Sequence, residues 1–113
     1  MTYETGAIAP LNDLAYRIHR AAEAKGFWDG ERNMGEMLML AVSELSEALE
    51  EHRAGNPPVY YDDGKPEGLA VELVDCVIRC LDVLSSLGVN IDGIVNRKLA
   101  YNATRPHKHG KAY

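Results

Sequence analysis

Apolar positions recur along this chain at intervals of three and four, the spacing of one helix face. The first set is Leu11, Leu14, Ala15, Ile18, Ala21 and Ala22. Pro10 suits the first turn of that helix and Gly26 its stop. A second helix is predicted from about Arg32 to Ala54, ended by Gly-Asn-Pro-Pro. Its stripe of Leu38, Val42, Leu45 and Leu49, with Ala41 and Ala48 on one flank, should face a core. A third helix runs from about Pro66 to Leu87, with Leu73, Val74, Val77, Ile78, Leu81 and Leu84 on its apolar side and Gly88 beyond its end. A fourth begins at Asn90, whose side chain can cap it, and Asp92 suits its positive end. Ile91, Ile94, Val95 and Leu99 give it an apolar side, and it must finish by Pro106. No strand, repeat or low-complexity tract is expected, and "AGNPPVYYDDGKPEG" reads as an exposed loop between the second and third helices. Four helices with short connections predict an all-α four-helix bundle.

A length of 113 residues suits one domain with a small core that a partner subunit would complete. Residues 1–9 read as an N-terminal lead and 106–113 as a basic C-terminal tail. With 46% hydrophobic and 26% charged residues the composition is that of a folded globular chain. No apolar run approaches the roughly 18 residues of a membrane span. The opening residues lack a basic region followed by an apolar one, so no secretory signal, no membrane and a cytoplasmic location are expected. Cys76 and Cys80, four apart on one helix face, read as reduced and half-buried, with no further Cys or His at ligand spacing. All 17 acidic residues lie at or before Asp92, whereas Arg97, Lys98, Arg105, Lys108 and Lys111 follow it. The net charge of -5 therefore divides into an acidic body of -10 and a basic end of +5. A nucleic-acid polymer would ask for a basic face over the body. A small polyanion, held between a metal on the acidic part and cations on the basic part, fits the division better.

The acids have a pattern of their own. On a wheel of about 100° per residue, Glu44 falls beside the flank of the apolar stripe and Glu47 about 60° further round, while Glu50 is on the far side. Like charges at this spacing weaken a helix. The third helix repeats the arrangement with Glu72 and Asp75, and Arg79 and Asp82 continue its polar face. Acid pairs three apart also occur on plain solvated faces. Two such pairs on consecutive helices, each bordering the apolar side, can bring four carboxylates together, a donor set suited to Mg²⁺, with Mn²⁺ as substitute. A ferritin-like di-iron site would need Glu-x-x-His, and no His lies three after a Glu.

"SELSEALEEHR", then 24 residues between Glu47 and Glu72, then "ELVDCVIRCLD", resembles the MazG-like all-α nucleotide pyrophosphohydrolases, whose hallmark is Glu-Glu-x-x-Glu followed by Glu-x-x-Asp. "KGFWD" and "KLAYNATRPHKHGKAY" are similar to small bacterial and phage members, so the resemblance covers about residues 25–113. Phosphoribosyl-ATP pyrophosphatases and dimeric dUTPases are related within the same superfamily. The resemblance implies a helical bundle completed as a homodimer or homotetramer. It also implies Mg²⁺-dependent cleavage of a (deoxy)nucleoside triphosphate to the monophosphate and pyrophosphate, a reaction that fits nucleotide-pool sanitising. Carried over by position, Glu44, Glu47, Glu72 and Asp75 are the metal ligands. Ser43 departs from the hallmark, standing where its first Glu belongs.

For such a reaction a carboxylate must accept a proton from the attacking water. Glu47 is the first candidate and Glu44 the second. Lys98, Tyr101, Asn102 and Arg105 fall on nearly one face of the fourth helix. By resemblance Lys98 and Arg105 bind phosphate and Asn102 sugar or base, with His109 and Lys111 reaching over the phosphates if the tail is ordered. Trp28 is expected in the pocket, stacking on a base, and Phe27 between helices as a plug. His19 and His52 read as helix-surface residues. Two other readings remain: a helical module that binds nucleotide or protein without catalysis, motivated by Ser43, and a phosphoribosyl-ATP pyrophosphatase-like enzyme.

Overall fold

The computed structural model describes residues 10–113, and the predicted lead over 1–9 lies outside them. Four α-helices carry the chain: α1 (Leu11–Ala24), α2 (Met34–Arg53), α3 (Leu69–Ser86) and α4 (Ile91–Ala103), followed by a 3₁₀ turn at His107–Gly110. The expected helices are all present, with ends shifted by one to three residues. Between α2 and α3 stands an element that the periodicity does not announce, a hairpin of β1 (Tyr60–Asp62) and β2 (Lys65–Glu67). Its turn is Asp63-Gly64, both at positive φ (51° and 84°), the backbone that two-residue hairpins need. Asp-Gly is the signal for it in the sequence. Pro66 therefore lies in β2 opposite Tyr61 and not in the first turn of α3. In this register the pair exchanges no ladder bonds, so the missing N–H costs nothing. Gly68, at φ 117°, starts α3 directly under the hairpin's entry. A Cβ there would overlap the Pro58 carbonyl, which accepts from Ala70 N–H at 3.0 Å.

Helices α2 and α3 run antiparallel: Ala54 shares a cavity with Glu67 and Glu72, Glu44 bonds to Arg79, and Met37 meets Asp82 and Val83. Helix α1 packs on α3, where Ala15, Leu81 and Ile91 form the core with Leu11, Ile18, Leu84 and Val95 around it. The starts of α1 and α4 cap each other. Asn90 caps α4 through Gly93 N–H, as its position predicts. Asp92 reaches across and accepts from Leu11 N–H at 2.8 Å, while Asn12 accepts from Ile91 N–H at 2.7 Å. Orphan donors of both helices are thus satisfied by the other's side chains.

The core is smaller than the apolar pattern implies. Among the described residues only Ala15, Met37, Ala48, Leu81 and Ile91 are buried hydrophobics. The stripe of α2 does not face a core within this chain: Leu38 is 55% exposed and Val42 and Leu45 48%. On α3, Val74 and Val77 are similarly open, at 54% and 52%. The helix pair instead buries the neighbouring side of α2, through Met37, Glu44 and Ala48. No described helix is long and apolar enough to cross a membrane.

Candidate functional site

The side of α2 that packs on α3 carries a carboxylate into the contact. Glu44 is buried, and a carboxylate oxygen of each of Glu44, Glu72 and Asp75 lies within 4.8 Å of the others. The three-residue spacing on α3 sets Glu72 and Asp75 one turn apart, facing Glu44 across the antiparallel pair. One cation belongs to this group: Arg79 donates from Nε to Glu44 Oε1 at 2.9 Å. It stands one turn beyond Asp75 and two beyond Glu72, so its position on the same face was a readable signal that the acids would have a built-in partner.

The charges are unevenly served. Burial raises Glu44, but its bond from Arg79 and its contacts with Glu72 and Glu47 outweigh this and hold it below the usual range. Glu72 goes the other way. Burial first, then the carboxylates of Glu47 and Glu44, push it from 4.5 to about 8. Among the described residues no donor reaches its buried Oε2, and the proton it holds is shared with the Glu47 and Glu44 carboxylates. Asp75 is also raised, by burial and then by the charge of Glu44. Three oxygen donors of this kind, one with an orphaned oxygen, fit a hard divalent cation.

Glu47 is exposed and stands outside the close trio. The cluster forms a wall between two cavities. Glu47 and Glu72 look into one of about 650 Å³, together with Glu50, Glu51, Glu67 and a single cation, Lys65. Glu51 accepts there from the Tyr60 hydroxyl at 2.7 Å and ties the hairpin to α2. Glu44 and Asp75 look into the other, of about 600 Å³, with Lys25, Arg32 and Arg79 at its polar positions and Ile18, Ala21, Ile78 and Phe27 as its apolar part. The first cavity is strongly acidic. The second balances three cations against Glu44, Asp75 and Asp82 and is the one an anion with an apolar portion would enter.

The two aromatics exchange their expected places. Phe27 is 64% exposed and lines the second cavity. Trp28 does not line it. Its indole N–H donates to both oxygens of buried Asp82, at 3.0 and 3.1 Å. An indole N–H must find an acceptor when covered, and Asp82 is the one within reach. His19, expected on the surface, is half-buried and meets Asp82 Oδ1 through Nδ1 at 2.7 Å, with its ring edge-on to Trp28 at 4.7 Å. The carboxylate fixes Nδ1–H as the donor. Arg32 lies over the Trp28 ring at 4.8 Å and 3.9 Å from Asp82 Oδ2, which holds its guanidinium at the cavity.

The basic end does not reach the acids within this chain. Lys98 and Arg105 flank the Tyr101 ring at 5.4 and 5.8 Å. Asn102 is half-buried, with Oδ1 covered and without a partner among the described residues. Arg105 and His109 are half-buried and Lys111 exposed. None of Lys98, Tyr101, Asn102, Arg105, His109 and Lys111 lines either large cavity, because α4 meets the rest chiefly through its first turns. Ser43 turns its hydroxyl back to the Leu40 carbonyl at 2.6 Å and supplies nothing to the cluster. Comparison with protein-family models, with curated proteins and with solved structures gives no match.

Proposed function

We propose that this protein is a Mg²⁺-dependent nucleoside triphosphate pyrophosphohydrolase of the MazG-like all-α type, releasing pyrophosphate and a (deoxy)nucleoside monophosphate. The observation that carries the reading is the orphaned, buried Glu72 oxygen among three convergent carboxylates. It is joined by a neighbouring cavity that combines cations with an apolar lining. A bound divalent ion would neutralise phosphate oxygens and acidify water. The chain's own groups do the rest. Lys25, Arg32 and Arg79 hold non-bridging phosphate oxygens. Phe27 and Ile18 offer apolar contact to a base. Glu47, the most open of the four acids, accepts the proton of the attacking water, with Glu44 as the second candidate. Such a substrate suits a cytoplasmic protein.

The reading includes a second copy of the chain. The exposed stripes of α2 and α3 can bury each other across a two-fold axis, as isologous interfaces do. A basic end that misses its own acidic site can then serve the partner's. Light scattering should give at least a dimer, and Leu45→Lys should lower the mass.

The test of function is a panel of nucleoside triphosphates, phosphoribosyl-ATP included, incubated with Mg²⁺ and with Mn²⁺ while pyrophosphate is measured. No release from any member sinks the proposal. A second reading, binding without turnover, is favoured by Ser43, which is engaged with its own helix where the hallmark has a carboxylate. Calorimetric binding of a nucleotide that yields no product would select it.

A further inference from the structure

Arg79 stands on two surfaces at once. Through Nε it neutralises Glu44, and with Lys25 and Arg32 it lines the cavity beside the acids. Its terminal nitrogens have no hydrogen-bond partner among the described residues. Glu44 is nearly covered at 9% side-chain exposure, whereas Arg79 is 39% exposed and so has room to turn. A guanidinium does not lose its charge in proteins, so while Glu44 stays ionised its hold is broken by a competing ion and not by loss of its own proton. The two free NH₂ groups are donors of the geometry that phosphate oxygens accept.

Resting on the metal-and-nucleotide reading above, we infer that Arg79 is an exchangeable counter-ion. It occupies Glu44 while the acid cluster is without metal, is released when a divalent cation binds there, and then binds the phosphates of the incoming nucleotide. The acids would otherwise repel one another, since Glu44, Glu72 and Asp75 are within 4.8 Å. A divalent ion outcompetes a single charge spread over a guanidinium. Each metal binding event therefore frees one phosphate ligand, and metal and nucleotide favour each other's binding through this residue. By linkage the factor is the same in both directions.

The test is a calorimetric titration of wild type, Arg79→Met and Arg79→Lys with Mn²⁺ alone, then with a non-hydrolysable triphosphate analogue with and without Mn²⁺. Circular dichroism confirms that the variants keep their helices. Without nucleotide, Arg79→Met should bind Mn²⁺ about tenfold more tightly than wild type, the scale of one charge-assisted hydrogen bond no longer in competition. The gain in analogue affinity on adding Mn²⁺ should be several-fold smaller than in wild type, and Arg79→Lys should lie between. Normal Mn²⁺ binding by wild type with unchanged or weaker binding by Arg79→Met makes Arg79 a fixed support for Glu44 and overturns the inference. Tighter Mn²⁺ binding with an undiminished effect on the analogue reduces it to simple repulsion and also overturns it. Absence of Mn²⁺ binding in every protein removes the metal reading itself.

Discussion

Asp75 and Asp82 stand two turns and about 10 Å apart on α3, and both border the same cavity, yet their surroundings are opposite. Asp82 has a partner for each oxygen: the His19 ring, the Trp28 indole and, further off, Arg32. Asp75 belongs to a group in which, among the described residues, three acids share one arginine and one buried oxygen has no donor. Burying a carboxylate is costly, and the fold offsets that cost fully at one place and not at the other. The satisfied site reads as architecture, holding the segment after α1 against α3. The unsatisfied one reads as a place made for something that arrives later. A partially satisfied cluster lowers stability, so its presence points to use.

The sharpest way to break this comparison is to remove one acid from each side. Glu44→Gln or Asp75→Asn should lower turnover by about 10³-fold or more, the scale of losing a metal-held charge at the reacting phosphate. The metal-free melting temperature of Asp75→Asn should stay level or rise, because repulsion is relieved, whereas Glu44→Gln should lower it by loosening the pair with Arg79. A fall in stability with turnover intact would make the cluster architectural. Asp82→Ala should do the reverse. Two donors, His19 and Trp28, lose their acceptor and Arg32 loses its ion pair, which costs about 1–3 kcal/mol or more of stability. Denaturant unfolding measures the loss, and emission of the sole tryptophan, Trp28, should shift as its environment opens. Mn²⁺ binding should persist.

The acid cluster also has a signature in pH. Glu72 is raised from 4.5 to about 8, so the folded protein holds a proton that the unfolded chain releases. Its stabilising contribution is complete below pH 4.5 and is lost as pH rises through 8. Metal-free stability should decline over that window, Glu72→Gln should remove the decline, and Mg²⁺ should offset it by binding the deprotonated form. A profile in which Glu72→Gln changes nothing would show that Glu72 is not held in this way. The smallest effect concerns the apolar part of the cavity. Phe27→Ala should leave the melting temperature unchanged, since the ring is 64% exposed, and raise KM a few-fold through lost contact with the base. Trp28→Phe should instead affect stability more than KM.

Much of this was legible from residue order. Helical spacing, Pro10, Asn90 and Gly88 marked the elements, because caps and periodicity act over a few residues. The two acid pairs were legible because a three-residue interval on a helix is itself a statement about position. The hairpin was missed because "YYDDGKPE" is too short and too polar to alternate, although Asp-Gly carried its turn. Trp28 and Phe27 could not be told apart along the chain, since both are large aromatics in one loop. The choice turned on the Asp82 carboxylate, 54 residues from Trp28, which needed a donor.

The sequence by itself determined the four helices, the acid pairs and the separation of charge between body and tail. Each of these follows from local spacing or from counting. Only the tertiary structure decided which side of each helix is covered. It buried Glu44 in place of the leucine stripe, paired it with Arg79, left Glu72 with an orphaned oxygen and satisfied Asp82 completely. The physical reason is that burial and pairing depend on what lies across a helix contact, and partners across α2 and α3 are far apart in the chain, 35 residues for Glu44 and Arg79.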